Sequence, residues 1–247
     1  MHPLTTRPVA AFSLLLVIVL FGSCSSLYLP NVPNTPMLSA KGELHASGHV
    51  SLRGNISLNS AYAVSDHFGV LFNGSVMDRK RGTKEQAHNL VETAGGYLTT
   101  FGQDGTRVLE LYAGLGRGNG DRFYKQTADA AADNQQSKFN KTFFQANFSS
   151  KKEKSLKLFS REFPLNYGTA LRVSYLRMTE FTRNGIDQPK EDNIFLEPVF
   201  FTRMALNSNV QLQYTSGSNF GLKNRKFLTA GNSVFTVGIV INAGGTK

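Results

Sequence analysis

The feature that most limits the possible folds is an alternation of apolar and other side chains with a period of two residues. It begins near Gly42 and recurs almost to the end of the 247-residue chain. The last segment shows it most clearly, with an apolar row of Phe235, Val237, Ile239 and Ile241. Strict alternation over such lengths is the signal of half-buried β-strands. No stretch has a convincing helical period, although residues 125–136 could form one helical turn.

Segments of this kind predict an all-β, antiparallel up-and-down β-barrel of about ten strands, with eight or twelve left open. They lie at 42–53, 56–64, 68–76, 89–101, 107–116, 142–149, 170–180, 193–205, 209–217 and 233–243. Most connections alternate between tight turns and long loops, which is typical of membrane barrels. Two connections break this rule: the first is short on the long-loop side, and the sixth, 150–169, is long on the turn side. That sixth stretch is a candidate for a further hairpin.

The polar rows indicate which face of the barrel meets lipid. They hold mainly Ser, Asn, Thr, Gln and Gly, and only 18% of the chain is charged, below the roughly 25% of soluble domains. Small polar residues suit a crowded lumen, and segments of this length can cross a bilayer at a tilt. We therefore expect the apolar rows to face lipid. Alternation alone leaves open the reverse arrangement, a soluble periplasmic barrel that is lipid-tethered and carries an apolar ligand.

The N-terminal region predicts export and a lipid anchor. An apolar run over residues 10–21 follows a stretch with Arg7 and no acidic residue, as in secretory signal peptides. The run then ends in Gly22-Ser23-Cys24, which resembles the lipobox of bacterial lipoproteins. The resemblance implies cleavage before Cys24 and acylation of that residue, for example with palmitate. Cys24 is the only cysteine, so an internal disulfide is excluded.

Three regions follow from these observations. Residues 1–23 are expected to be a lipoprotein signal peptide, residues 24–40 a proline-containing tether, and residues 41–247 the β-barrel domain. The whole pattern resembles the small outer-membrane β-barrel proteins of diderm bacteria, in lipoprotein form. The resemblance implies a bacterial outer-membrane location, both termini periplasmic, and a structural, narrow-pore (porin-like) or surface-binding role without enzyme activity. We expect no cofactor and no metal.

Six charged side chains lie on the polar rows of the predicted strands. They are Glu43, Glu92, Glu110, Arg172, Glu197 and Arg203. A charge inside a narrow lumen must be paired. We therefore expect a structural network of ion pairs that plugs the lumen, and the alternative is a proton or ion path.

Two of the predicted long loops are basic, in a chain whose formal net charge is +10. The residues are Arg79, Lys80, Arg81 and Lys84 in one loop and Lys223, Arg225 and Lys226 in the other. Since export argues against nucleic acid as a partner, we expect contact with outer-membrane lipid and with anionic lipopolysaccharide or glycan. The alternative is that these side chains are simply solvated.

One short pattern suggests an enzyme as an alternative function. His45, Ser47 and His49 lie on one face of the first strand, and Glu43 could orient a histidine. The arrangement resembles the His and Ser of outer-membrane lipid A deacylases, in which a base activates the nucleophile. The alternative is therefore a lipid A-modifying barrel enzyme.

Overall fold

The computed structural model of the chain describes residues 26–102, 105–128, 130–158, 161–229 and 234–244, apart from the side chains of residues 152, 153 and 158. The expected signal peptide and the expected lipidation site Cys24 lie outside the described residues. In the described part of the chain, no helix has the length and apolar character needed to cross a bilayer.

In the described part of the chain, twelve strands form one sheet. They are β1 (Leu44–Ser51), β2 (Ile56–Ala63), β3 (Phe68–Arg81), β4 (Lys84–Phe101), β5 (Arg107–Tyr124), β6 (Asp133–Leu158), β7 (Arg161–Arg183), β8 (Ile186–Asp187), β9 (Asp192–Ala205), β10 (Val210–Gly217), β11 (Phe220–Gly221) and β12 (Val234–Ala243). Strands β8 and β11 are two residues long and extend the neighbouring strands β7 and β9.

The ten long strands close into an antiparallel barrel. Each pairs with the next long strand along the chain, including β7 with β9 and β10 with β12. Pairing of β12 with β1, from Leu44↔Ala243 to Ser51↔Thr236, closes the ring. Every one of the ten alternating segments corresponds to one of these strands. The prediction of an all-β, up-and-down barrel is confirmed.

Apolar rows face outward and polar rows face the lumen. On β12, Val237 and Ile239 are each 54% exposed, whereas the intervening side of the strand is buried, with Thr236 at 3%. On β5 the outward apolar row lies between Arg107 and Arg117, so charged residues bound an apolar band. An apolar outer face is the arrangement of a membrane barrel and the reverse of that of a soluble carrier barrel.

Several strands are longer than the alternation indicated. Strand β3 continues to Arg81 and β4 begins at Lys84, so most of the predicted loop 78–88 is strand. Likewise β6 begins at Asp133, inside the stretch predicted as a loop with one helical turn. The stretch 150–169 is an extension of the β6–β7 hairpin and adds no strand. Beyond the apolar band both faces of a strand meet water, so no alternation in polarity is required there.

Residues 26–40 run through the lumen, and we call them the threaded segment. At one mouth, the amide of Leu27 donates to the carbonyl of Phe227 in the β11–β12 connection (3.1 Å). At the other mouth, the amide of Lys41 donates to Asp66 in the β2–β3 turn (2.8 Å). Ser26 to Leu38 are all buried. The sequence predicts a proline-containing tether over residues 24–40, and in the structure residues 26–38 of this stretch are packed inside the barrel.

This path places the two ends of the described chain at opposite mouths. Leu44 pairs with Ala243 at the mouth that also carries the β2–β3 and β9–β10 turns, which we call the turn mouth. Ser26 lies at the other, the long-loop mouth, where its side chain contacts Phe227. The expectation that both termini are periplasmic concerns residues outside the described chain and stays a prediction. An even strand number fixes only where β1 starts and β12 ends, and the threaded segment doubles back.

Candidate functional site: the plugged lumen

The threaded segment has a sequence that cannot join the sheet. Pro30, Pro33 and Pro36 remove a backbone donor at every third position and hold the chain extended. The remaining amide and carbonyl groups are buried, so they need partners from elsewhere. Side chains of the polar rows are the available partners, because the strand backbones already bond to one another.

Side chains of the lumen form hydrogen bonds with these backbone groups. Nε2 of His88 accepts from the amide of Leu29 (3.2 Å), and the Asn59 amide donates to the carbonyl of Val32 (3.2 Å). The carbonyl of Asn34 accepts from two side-chain amides, those of Gln145 (2.6 Å) and Asn147 (3.1 Å). The polar rows thus form a recognition surface for the threaded segment.

A buried charge network links the threaded segment to four strands. Lys141 on β6 donates to Glu92 on β4 (2.8 Å) and to the hydroxyl of Tyr28 (2.7 Å). Arg172 on β7 reaches both oxygens of Glu92, at 3.2 and 3.1 Å. Tyr28 donates to Glu197 on β9 (2.7 Å). The side chains of Lys141, Arg172 and Glu92 are completely buried. Two carboxylates thus face two cations, and the network has no net charge.

The other three charged residues from the sequence analysis bind the threaded segment directly. Glu110 accepts from the amides of Met37 (3.4 Å) and Leu38 (3.1 Å). Glu43 accepts from the amide (2.6 Å) and hydroxyl (2.8 Å) of Ser39. Arg203 donates to the carbonyls of the pair Thr35–Pro36. All six predicted residues thus help to hold the threaded segment in the lumen. Only Glu92, Arg172 and Glu197 belong to the shared charge network, and the other three bind the segment separately.

A backbone conformation of Met37 helps to build the contact with Glu110. Met37 has φ 64°, in the left-handed region that residues other than glycine seldom adopt. It directs two successive amide groups at one carboxylate, as in anion-binding nests. The carboxylate of Glu110 also accepts from Tyr112 (3.1 Å) and Asn147 (3.1 Å).

Apolar clusters pack inside both ends of the lumen. The cluster nearer the long-loop mouth comprises Leu27, Tyr28, Leu90, Phe139, Leu176, Met178, Phe181, Phe195 and Leu228. The cluster nearer the turn mouth comprises Leu38, Ala61, Ala63, Leu71, Ala94, Leu98, Tyr112 and Phe143. The threaded segment contributes to both clusters. Between the clusters lie the charge network and the amide side chains, so the segment is packed along its length.

Residues 222–229 cover the long-loop mouth, and we call them the strap. Glu191 accepts from three successive backbone amides of the strap, at residues 226–228 (3.0, 2.9 and 2.8 Å). Asp192 binds Lys223 (2.5 Å) and Arg225 (2.7 Å). Phe227 packs on Phe181, with ring centroids 4.6 Å apart. Two adjacent carboxylates therefore hold the strap over the end of the threaded segment.

Hydrogen bonds to the strap change the acidity of Asp192. This residue begins β9 at the long-loop mouth, outside the apolar band. The hydrogen bond from Lys223, followed by that from Arg225, lowers the pKa of Asp192 from its ordinary 3.8 to about 2. The carboxylate is therefore charged at neutral pH.

The basic residues predicted to contact anions are mostly engaged within the protein. Lys223 and Arg225 bind Asp192, and Lys226 lies over the Phe227 ring (5.4 Å). In the other set, Arg79 donates to the carbonyl of Arg53 (3.4 Å), Lys80 is 3.7 Å from Glu85, and Lys84 lies over the Tyr124 ring (5.6 Å). Arg81 is exposed at the end of β3.

The His–Ser pattern of the first strand faces the lumen. Nε2 of His49 is 3.0 Å from Oγ of Ser47, and Nδ1 of His45 is 3.0 Å from Asn242. Glu43 binds Ser39 and therefore does not orient either histidine. The lipid-facing row of β1, with Leu44 and Val50, lies on the opposite side of the strand. Among the described residues, no three His, Cys, Asp or Glu side chains are placed to hold a metal ion.

Sequence reasoning missed two members of the charge network, Lys141 and Tyr28. Lys141 lies just before the predicted strand 142–149, and Tyr28 lies in the stretch interpreted as a tether. Alternation does give a signal for Lys141, because every second residue of a strand lies on the same face. Lys141 therefore shares the lumen-facing side of β6 with Phe143, Gln145 and Asn147. Tyr28 has no such signal, since its partners lie on distant strands.

Comparison with known proteins gives no family for this chain. No family model matches it, and no curated protein sequence matches it. Among solved structures, it is similar to the translocator domain of autotransporter NalP from Neisseria meningitidis, at 12% sequence identity and a TM-score of 0.46, over 95% of this chain and 97% of that one. The class is set by the chain's own geometry: a closed antiparallel barrel of ten long strands with an apolar outer face is a β-barrel of the outer-membrane type.

Proposed function

We propose that this protein is a non-enzymatic outer-membrane β-barrel lipoprotein whose lumen is closed by its own N-terminal segment. One observation carries the proposal: the threaded segment spans the lumen and shares, through Tyr28, a buried charge network with four strands. The network has no net charge and lies between two apolar clusters, which supports a closed lumen. The role supported best is therefore structural: the barrel acts as a membrane anchor and exposes its long-loop mouth at the membrane surface.

The path of the threaded segment also favours a particular side for the lipid anchor. Ser26, the first described residue, lies at the long-loop mouth, and the expected anchor Cys24 precedes it by two residues. In bacterial outer-membrane barrels the short turns are periplasmic. We therefore propose that the acylated Cys24 inserts into the outer leaflet, on the same side as the long loops. Exposed Arg81 on that side supports contact with anionic lipopolysaccharide as the partner interaction.

Membrane insertion is tested with spin labels on β12. Labels at Val237 and Ile239 should be reached by a lipid-soluble relaxation agent, because both side chains face outward. A label at the buried Thr236 is the matched control on the same strand and should be protected. The reverse pattern would contradict a membrane barrel.

The closed lumen is tested by planar-bilayer current. We expect the refolded protein to show no stable current steps, since the threaded segment fills the lumen. Regular ohmic steps from the intact chain would favour the narrow-pore alternative. The anchor is tested separately in cells with a fatty-acid probe: Cys24→Ser should lose the label while the parent retains it.

The side of the anchor is tested with epitope tags in intact and permeabilised cells. One tag follows Ser26, a second lies in the β5–β6 connection, and a third lies in the β9–β10 turn at Ser208. We expect the first tag to be detected together with the second. Detection together with the third would show that the N-terminal side lies at the turn mouth.

A further inference from the structure

Strands β3 and β4 extend beyond the β1–β2 turn at the long-loop mouth. Strand β2 pairs with β3 no further than Val76, whereas β3 and β4 remain paired as far as Arg81. Strand β5 accompanies them to Tyr124. On this extension, Gln86 donates to the carbonyl of Ser26 in the threaded segment (3.3 Å), so its side chain points inward. Because side chains alternate along a strand, every second residue counted from Gln86 also faces the mouth.

Cross-strand pairing gathers the inward side chains of the extension into two rows. The first row consists of Arg79, Gln86 and Arg122. The second row, nearer the end of the β3–β4 hairpin, consists of Arg81, Lys84 and Tyr124. Side chains paired on neighbouring strands are about 5 Å apart. Four cations therefore lie on a surface that is three strands wide.

Contacts at the long-loop mouth hold these cations near one another. Nη1 of Arg79 donates to the carbonyl of Arg53 in the β1–β2 turn (3.4 Å). Lys84 and Arg122 both lie over the ring of Tyr124, 5.6 and 5.7 Å from its centroid. A carbonyl group and a phenol ring carry no net charge, so these contacts orient the cations without neutralising them. We call the five cations the mouth cluster: Arg53, Arg79, Arg81, Lys84 and Arg122.

Like charges in the mouth cluster act on one another. Burial, followed by the charge of Arg79, lowers the pKa of Arg53. Burial also lowers the pKa of Lys84, and the nearby Tyr124 opposes this effect. The charges of Arg122 and Arg53 then add to the lowering of the Lys84 pKa. A lowered pKa means that the charged form of a base is disfavoured, so a bound anion would offset this cost.

Carboxylates are scarce on the inward side of the extension. Among the described residues of the two rows and their continuation onto β6, the carboxylate is Asp133, and Arg183 binds it (2.7 Å). On the outward side, Glu85 lies near both Lys80 (3.7 Å) and Lys125 (3.1 Å). The outward cations thus share a carboxylate, whereas the inward side has an excess of positive charge.

We propose that the mouth cluster binds the phosphate group of a saccharide at the cell surface. A phosphate monoester carries about −1.5 to −2 charges and three acceptor oxygens, so it can engage several guanidinium and ammonium donors at once. The two rows face the opening of the lumen, so the ligand approaches from water and not from the bilayer. The proposal rests on the proposed function, which puts the long-loop mouth at the outer surface. It deepens the proposed contact with lipopolysaccharide by naming the site and the chemical group that it recognises.

Binding is measured by isothermal titration calorimetry of the refolded full chain in a neutral detergent, with mannose 6-phosphate as the probe. We expect saturable binding that weakens as salt is added, and no binding of mannose. Glucuronate, which offers one carboxylate, should bind more weakly than mannose 6-phosphate. Equal affinity for glucuronate would overturn the assignment of a phosphate group, and a parent chain that does not bind mannose 6-phosphate would overturn the site.

A pair of double variants separates the mouth cluster from general charge. Arg79→Gln with Lys84→Gln removes two inward cations and should weaken binding by about tenfold or more, because charge-assisted hydrogen bonds are lost. Lys80→Gln with Lys125→Gln is the matched control, since it removes two outward cations from the same extension, and it should change the affinity by less than about twofold. All four side chains lie at strand ends or beyond, and heat-modifiable gel migration checks that both variants fold. Equal losses in the two variants would overturn the proposal.

Two further measurements separate this proposal from a lipid site and from the proposed function. Mixed micelles that contain phosphatidylglycerol should leave the affinity for mannose 6-phosphate unchanged, whereas competition by phosphatidylglycerol would show that a lipid headgroup occupies the cluster. The spin label at Val237 reports membrane insertion independently of the cluster. If that label is reached by the lipid-soluble agent and the probe does not bind, the site is overturned and the membrane barrel stands. If the label is protected, the proposed function fails, and saturable binding in detergent would still support the site.

Discussion

The hydroxyl of Tyr28 donates a 2.7 Å hydrogen bond to the carboxylate of Glu197, which lies 169 positions later in the chain. The same hydroxyl accepts a hydrogen bond from Lys141 at 2.7 Å. The threaded segment and the barrel wall therefore complete one buried network. Because buried charges without partners are costly, withdrawal of the segment would expose the network, and segment and wall stabilise each other.

Removing this hydroxyl is the first prediction. Tyr28→Phe should lower the free energy of unfolding by about 1.5–3 kcal/mol, the usual contribution of a hydrogen bond to a charged group. The measurement is urea unfolding in lipid vesicles. Tyr62→Phe is the control, because Tyr62 faces outward and is 43% exposed, and it should change the stability by less than about 0.5 kcal/mol. Equal effects of the two changes would argue against the network.

A second prediction uses the close approach of the threaded segment to β5. A Cβ atom at Gly120 would collide with the carbonyl group of Leu27. Gly120→Ala should therefore displace the segment and destabilise the protein by about 1–3 kcal/mol, as overpacking does. Gly95→Ala is the matched control on β4, since nothing lies within 4 Å of its added Cβ. The readout is the temperature at which heat-modifiable gel migration changes, and equal shifts would mean that the segment does not lie against β5.

The strands could be predicted because lipid and lumen impose opposite polarity on successive residues. Val237 and Thr236 differ in exposure for this reason, and the sequence shows the same difference. The ends of strands lack this constraint. Arg81 and Lys84 have water on both sides, so the alternation that marks β3 and β4 stops several residues before the strands do.

The threaded segment could not be predicted, because its burial depends on partners far away in sequence. The amide of Leu38 bonds to Glu110, 72 positions later, and the amide of Leu29 bonds to His88, 59 positions later. Nothing local distinguishes such a segment from an exposed, proline-containing tether. The alternation in β5 predicts that the side chain of Glu110 points into the lumen. It does not predict which group Glu110 contacts there, because alternation gives only the direction of a side chain.

The charge network supplies a third prediction. Lys141→Met should destabilise by about 3–5 kcal/mol, because it leaves carboxylates buried with one cation too few. Adding Glu197→Gln restores neutrality and leaves the pair Arg172–Glu92 intact (3.1 Å). The double variant should therefore recover part of the loss, with a coupling of about 1 kcal/mol or more in a double-mutant cycle of urea unfolding. Additive losses would show that Lys141 and Glu197, 3.6 Å apart, are not coupled.

A fourth prediction concerns how Glu191 holds the strap. Its carboxylate accepts from three backbone amides, at 2.8–3.0 Å. Glu191→Ala should release the strap and speed cleavage by trypsin after Lys223, Arg225 or Lys226. Glu180→Ala is the control, because Glu180 lies on the adjacent strand β7 and pairs only with Lys138 among the contacts described for it (2.7 Å). Peptide mapping of the nicked protein identifies the site, and unchanged cleavage in Glu191→Ala would mean that other contacts hold the strap.

The last prediction is a loosening of the strap in acid. The pKa of Asp192 is lowered from 3.8 to about 2 in the folded protein, chiefly by Lys223 and then by Arg225. A lowered folded-state pKa means that the ionised carboxylate stabilises the strap above the ordinary value. This stabilisation is lost as the pH falls through about 2. A spin label at Leu222, which is 63% exposed, should therefore gain mobility progressively as the pH falls from about 3.8 to about 2.

Two controls separate this effect from general unfolding in acid. Both use the mature chain with Cys24→Ser, so that only one cysteine is labelled. Asp192→Asn should make the label at Leu222 mobile already at neutral pH and remove the transition. A label at Leu206, in the β9–β10 turn at the opposite mouth and 48% exposed, should remain unchanged. A transition at Leu222 that is complete above pH 3.8, or a simultaneous change at Leu206, would show that Asp192 does not hold the strap through Lys223 and Arg225.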